Sequence, residues 1–408
     1  MLGEMILKKR IVGGLIAVAI ILAILFFMNE NKTYTDEKDY LRKNNEVINL
    51  KKIDDFSGLE VLKKDLKDKK IVFTGENHTL TKDDLFKIKL LKYLHKEIGI
   101  NYYLGEFSST DAYFINKYLD TGDESILRKS FNHNKGTAGD NVDDFNFFKQ
   151  LYKYNQSISN EKNRIKVVGI DIEHSGVSSH DYIYEIIRTR RRIPLDLESL
   201  LESLRVRDLK AVEIKNKKVI EDVSKNEELY KETFGKNFDD FKYVLNNIKA
   251  MCDSYANNQK NFDNVREKCI YENFKYVDSK LKDAKYFGQW GGAHIYKDKV
   301  NFLGKDADFI ASLLNKDEDY KGKILSIQYG YYNIQKGICS IDINLFNEYL
   351  TTKDDAILFK LNSKNSPFND KHINLLKYEQ PSKNDIVTTD YFDYLLIIKG
   401  SEKSKLMN

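Results

Sequence analysis

Two histidines and two glutamates of this chain fall where a substrate could be worked on. A short β-rich run, Ile71–Thr74 (IVFT), leads into Gly75-Glu76-Asn77-His78, and a second, Tyr102–Leu104, leads into Gly105-Glu106. A third, Ile165–Ile170 (IKVVGI), is followed by Asp171, Glu173 and His174, and a fourth, Tyr286–Trp290 (YFGQW), by Gly291-Gly292-Ala293-His294. Open α/β sheets bind ligands in the crevice at the carboxyl ends of their strands, so four successive polar clusters at that position imply one site. Singly each has a plainer account: Glu76 and His78 as a helix start, Glu106 paired with a surface lysine, His294 as a core histidine after a glycine turn. Their coincidence points to function.

The chemistry such a set supports is hydrolysis. An imidazole flanked by carboxylates is held in one tautomer and kept basic enough to take a proton from water. His78 is the candidate base, with Glu76 and Glu106 expected to converge on it from adjacent strands. His294 would polarise the scissile carbonyl or protonate the leaving group. Glu76, His78, Glu106 and His294 are equally a divalent-metal donor set, although two carboxylates would favour a weakly held, exchangeable ion such as manganese. The expectation is therefore no cofactor in the resting state, with a divalent metal as the alternative. Nucleophile motifs are weaker: there is no GxSxG elbow, Ser108-Ser109 lies in the wrong context for one, and no glycine-rich phosphate loop occurs.

Alternating β-rich and amphipathic runs predict an α/β fold, a mixed and largely parallel sheet flanked by helices. Ile324–Gln328 (ILSIQ) and Tyr394–Ile398 (YLLII) complete the predicted strands. Between the first two strands, Leu85, Ile88, Leu91 and Leu94 share one helical stripe over Asp84 to Ile98, and Gly99 stops it. Ile53, Phe56, Leu59, Leu62 and Leu66 recur at helical spacing and predict a lead-in helix. Residues 195–282 contain no convincing strand and read as a helical insertion. The run Arg188–Arg192 (RTRRR) before it reads as a solvated helix end.

Ile11–Met28 is uncharged and almost wholly apolar, follows Lys8, Lys9 and Arg10, and ends in Phe26-Phe27-Met28 rather than in the small residues of a cleavage site. It reads as an uncleaved transmembrane anchor, with residues 1–10 cytoplasmic and the rest extracytoplasmic on a single-pass cell-membrane protein. Residues 29–52 read as a polar tether, 53–400 as the folded domain and 401–408 as a tail. Of 408 residues 41% are hydrophobic and 12% aromatic, enough to bury a sizeable core and to exclude a disordered chain. A net charge of +4 gives no field that would draw the chain to nucleic acid, so the expected partners are a small-molecule or cell-envelope substrate and the membrane. Cys252, Cys269 and Cys339 have neither CxxC nor zinc spacing and read as small buried hydrophobes.

These residues resemble a known group. Gly75-Glu76-Asn77-His78, Gly105-Glu106, Gly169-Ile170-Asp171 and Ala293-His294, each after its strand, look like the erythromycin-esterase-like and ChaN-like superfamily, to which Tiki-type proteases are related. In the insertion, Arg266-Glu267, Ile270 and Asn273 follow the spacing of the esterases' R-D-x-x-M-x-x-N helix, and Asn116-Lys117-Tyr118-Leu119 to Gly122-Asp123 is similar to a segment of uncharacterised members. The resemblance covers roughly Ile71 to Ile398. It implies an esterase-like hydrolase in which a His-activated water acts without metal, and metal or haem binding in the other branches. It adds Arg266 as a residue completing the site, Asn273 beside it and Asp171 as an orienting residue behind it. Two departures stand out. The esterases space their pair as G-E-x-x-H, one residue more than Glu76 to His78, and they carry H-N-A-H where this chain has Gly291-Gly292-Ala293-His294, so the first histidine is missing. Both point away from macrolide-lactone hydrolysis as the specific activity.

Overall fold

The computed structural model describes residues 35–188, 193–206, 208–256, 262–302, 304–335, 337–377 and 386–407. The apolar run Ile11–Met28, the start of the tether and residues 189–192 of the arginine run lie outside them. Among the described residues no helix is long and apolar enough to cross a membrane.

Among the described residues ten strands form: β1 (Asn45–Ile48), β2 (Ile71–Glu76), β3 (Tyr102–Ser108), β4 (Lys166–Asp171), β5 (Tyr286–Gly291), β6 (Val300–Phe302), β7 (Lys305–Ala307), β8 (Ile324–Tyr332), β9 (Ala356–Lys360) and β10 (Tyr394–Lys399). Eight make one sheet in the order β1-β9-β10-β8-β2-β5-β3-β4, and β6 and β7 pair by themselves. Every pairing in the large sheet is parallel except those of β9, which runs antiparallel to both β1 and β10. The central strands read as continuous apolar runs because helices cover both faces. Val72, Tyr103 and Phe287 point into one core with the helices Thr81–Ile98 and Val142–Ser157, while Ile71, Phe73, Leu104 and Trp290 point into the other with Phe262–Lys280.

The six predicted strands are present, and the helix predicted over Asp84 to Ile98 runs Thr81–Ile98, closed by Gly99 at φ 70°. Residues 195–280 form five helices with a core of their own around Leu200, Tyr230, Phe234, Phe241 and Ile248. Three expectations are corrected. From Thr35 onward the tether belongs to the fold: Thr35–Lys43 is a helix with Leu41 buried, β1 docks on β9 through Ile48 and Leu50 is buried beyond it, so three isolated apolar residues suffice to seat a polar segment. The lead-in helix is a series of turns around a 3-10 turn, Leu59–Leu62. The segment 401–407 is no free tail; it is hydrogen-bonded to two loops of the domain. The three cysteines are free, Cys252 buried and the other two half-buried.

Candidate active site

β2, β5, β3 and β4 are neighbours in that order, so the polar clusters at their carboxyl ends do meet. β5 lies between β2 and β3, so Glu76 and Glu106 do not approach from adjacent strands as expected. The glycines before the acids are needed for this packing. A Cβ on Gly75 would run into Gln328 and Ile295, and one on Gly169 into the backbone carbonyl of Ser108.

His78 follows β2 in a loop held from below. Tyr331 accepts the Asn77 N–H (2.7 Å) and donates to Asp83 Oδ2 (2.6 Å), and Thr79 takes a left-handed φ of 71°. A chain of hydrogen bonds then orients the ring: Tyr329 donates to Gln289 Oε1 (3.0 Å), Gln289 Nε2 donates to Glu76 Oε2 (2.7 Å), and Glu76 Oε1 lies 2.8 Å from His78 Nδ1. A carboxylate accepts only, so Nδ1 carries the proton and Nε2 is the nitrogen left to act as base. Burial lowers the imidazole's pKa, but the Glu76 hydrogen bond and the charges of Glu106 and Glu76 outweigh it and push His78 up to about 9.

Glu106 does not bond His78. Its Oε2 accepts the Gly291 N–H (2.7 Å), while Oε1 accepts Arg266 Nη2 (2.8 Å) and lies 3.3 Å from His294 Nε2. Burial raises the Glu106 pKa, yet the charges of His294, His78 and Arg266 hold it well below the ordinary range. Arg266 lies in the second turn of Phe262–Lys280 with its side chain largely buried, which costs a cation its hydration. Carboxylates compensate: Asp171, wholly buried, accepts Arg266 Nε (2.9 Å) and Nη2 (2.5 Å). Burial opposes the Asp171 charge, and Arg266 and His174 more than reverse this, so the carboxyl stays well below its usual range. Arg266, Ile270 and Asn273 are four and three residues apart and share a helix face. That stripe lies on the end of β4, where Asn273 Nδ2 donates to the Ile170 carbonyl (2.8 Å).

His294 stands between two carboxylates, Nδ1 3.0 Å from Glu267 Oε1 and Nε2 3.3 Å from Glu106 Oε1. Burial opposes its charge, but the two glutamates push it up to about 10. It is therefore an imidazolium at neutral pH, packed edge-on between Trp290 and Phe309.

A cleft of about 360 Å³ opens over this layer. Glu76, His78, Glu106, Arg266, His174 and Tyr255 give it a polar lining, and Phe107, Ile115, Phe131 and Phe148 an apolar one. His294, Asp171 and Asn273 stand behind the lining. Of the candidate residues, the structure thus brings Glu76, His78, Glu106 and Arg266 to the cleft. Gln289 and Tyr255 were not singled out in the sequence, while His174, in the cluster after the third strand, and Glu267, beside Arg266, were noted there without a role. A lone glutamine inside the apolar run YFGQW was the available signal for the first; Tyr255 lies in a helix whose sequence carries no comparable mark.

The metal alternative does not fit these partners. Both oxygens of Glu76 and of Glu106, both nitrogens of His294 and Nδ1 of His78 already face protein groups. Among the described residues no group of three His, Cys, Asp or Glu side chains is arranged to hold an ion.

No family model matches the chain, and no curated protein does. Solved structures do match. A Bacillus cereus protein aligns at 17% identity over 92% of this chain and 100% of its own, with a TM-score of 0.67. A succinoglycan biosynthesis protein aligns at 14% identity over 91% and 98% of the two chains, with a TM-score of 0.66. A variant of the erythromycin esterase EreC in its open conformation aligns at 14% identity over 89% and 99%, with a TM-score of 0.63. ChaN of Campylobacter jejuni, solved with cofacial haem, reaches a TM-score of only 0.35, too low to carry an argument. The chain has the erythromycin-esterase-like fold.

Proposed function

We propose that this chain hydrolyses an ester or amide bond of a compact small-molecule or cell-envelope substrate by water activated at His78. The observation that carries this reading is the chain Tyr329–Gln289–Glu76–His78, which fixes one tautomer and leaves Nε2 beside a cleft whose floor holds a buried arginine. Water on Nε2 gives up a proton as its oxygen bonds the carbonyl carbon. The carbonyl oxygen gains the negative charge, and Arg266 and the Glu106-bound layer behind it stabilise it. As the intermediate collapses, the carbon–oxygen or carbon–nitrogen bond to the leaving group breaks and the leaving group takes the proton back from Nε2. His294 touches neither substrate nor water; held as a cation between Glu106 and Glu267, it positions Glu106 and Arg266. The substrate's apolar portion packs on Phe107, Phe131 and Phe148. The anchor Ile11–Met28 places this cleft on the outer side of the cell membrane.

The test is turnover by the purified full-length chain of a panel of aryl and alkyl esters and anilides graded by acyl bulk, before and after chelation, with elemental analysis of the untreated protein. Turnover of at least one compact apolar ester that survives chelation is the expected result. Binding of panel members without turnover would support a binding protein, and stoichiometric metal whose removal stops turnover would replace the His78 mechanism.

A further inference from the structure

We propose that the segment Ser401–Met407 is a strap that fixes the width of the cleft and the position of His78, and so decides how bulky a substrate the site accepts; this rests on reading the cleft as the hydrolytic site. The strap runs antiparallel to two loops that belong to opposite parts of the cleft lining. On one, Ser404 N donates to the Thr79 carbonyl (2.8 Å) and Thr81 N to the Glu402 carbonyl (3.0 Å), with Leu80 and Lys403 facing each other. On the other, Val142 N donates to the Lys405 carbonyl (2.8 Å) and Met407 N to the Asp140 carbonyl (3.3 Å), with Asn141 opposite Leu406. Ser404 joins the two ends, since its hydroxyl donates to Asn141 Oδ1 (3.2 Å) and accepts the Asp143 N–H (3.4 Å).

Both loops reach the cleft within a residue or two of these bonds. Thr79 lines it beside His78, and Thr137, Ala138 and Gly139 line it just before Asp140. Among the described residues no backbone hydrogen bond joins the two loops directly. Each needs an outside hold. Thr79 has a left-handed φ of 71°, a conformation that a threonine keeps only when its surroundings impose it, and the group that fixes its carbonyl is Ser404 N–H. The other loop is braced within itself, Gly136 N donating to Asp140 Oδ2 (2.9 Å) and Asn141 Nδ2 to the Ala138 carbonyl (2.8 Å), so it moves as one piece whose position the strap sets. The strap reaches the core only through the half-buried Met407: Ser401 and Ser404 are buried, whereas Glu402, Lys403, Lys405 and Leu406 are exposed. Losing its bonds frees Thr79 to return to an ordinary φ, which carries His78 away from Glu76 and lets the walls part.

Ser404→Pro deletes the donor to Thr79, and Ser404→Ala keeps it. Amide hydrogen exchange on the full chain should show Thr81 and Val142 protected in the parent. Ser404→Pro should lose at least tenfold in protection over residues 78–82 and 140–143 alone, and Ser404→Ala should keep the Thr81 protection. On the ester panel, Ser404→Pro should lower kcat for compact esters at least tenfold and narrow the preference for compact over bulky esters at least fivefold. Parent amides at 81 and 142 that exchange at free-loop rates overturn the strap without any variant, as does a folded Ser404→Pro with the parent's kcat and bulk preference. If no ester is turned over, the hydrolase reading fails while the exchange result still decides whether the strap holds the walls.

Discussion

Replacing Arg266 by alanine should lower the unfolding free energy by about 3–5 kcal/mol, the cost of leaving buried charge without its partner. The guanidinium joins the wholly buried Asp171 to Glu106 and lies 3.4 Å from His294 Nε2, so its loss strands two carboxylates that the cations around them hold ionised. Arg266→Lys should recover only part, because an ammonium keeps the charge but cannot fork between two carboxylates. The effect depends on pH with a definite sign. Asp171 and Glu106 have folded pKa values below their unfolded ones, so the stability they contribute is complete above about 4 and is lost as the pH falls through the folded values. The gap between parent and Arg266→Ala in chemical denaturation should therefore be wide at pH 7 and shrink in acid. His294 acts in the opposite sense. Its raised value makes its share complete below about 6.5 and lost as the pH climbs through about 10, so the parent should also weaken in alkali.

His78→Gln should leave the fold intact and remove turnover. The side chain is 45% exposed, so solvent screens it, but its raised pKa ties it as a cation to Glu76 and Glu106, and the stability loss at pH 7 should be about 1 kcal/mol and fade as the pH climbs through about 9. Deleting a positioned general base costs about 10²- to 10⁴-fold in rate. Single-turnover kinetics beside a denaturation curve separate the two readouts. A variant that unfolds would make His78 a structural residue, and one that keeps its rate would assign the base elsewhere.

The site was more legible in the sequence than the frame around it. Ile71–Thr74 and Tyr286–Trp290 are apolar runs bounded by glycine, and burial on both faces is what produces such runs, so strand ends and the acids beyond them could be placed. Strand order could not. Nothing in the residues of β5 says that it inserts between β2 and β3, and for that reason Glu106 was assigned to His78 when it faces His294 and Arg266 instead. β9 (AILFK) is four apolar residues and a lysine with no period, and β1 (NEVI) buries only Ile48, so neither announced itself. Arg266 is informative in this respect. Only the resemblance of Arg266-Glu267, Ile270 and Asn273 to the esterases' helix marked it as part of the site. The strap was missed because the four bonds that align it are backbone bonds, which residue types do not encode.

The most direct test of the account is the pH dependence of kcat/KM, which reports the free protein's essential groups. If neutral His78, oriented by Glu76, is the base and its pKa is raised to about 9, kcat/KM should climb about tenfold per pH unit from pH 6 and level near pH 9. Glu76→Gln, which removes the charge that raises it, should move the inflection down toward the ordinary imidazole value of about 6.5. A profile flat from pH 6 to 9, one that falls as the pH rises, or an inflection that Glu76→Gln does not move would contradict the account.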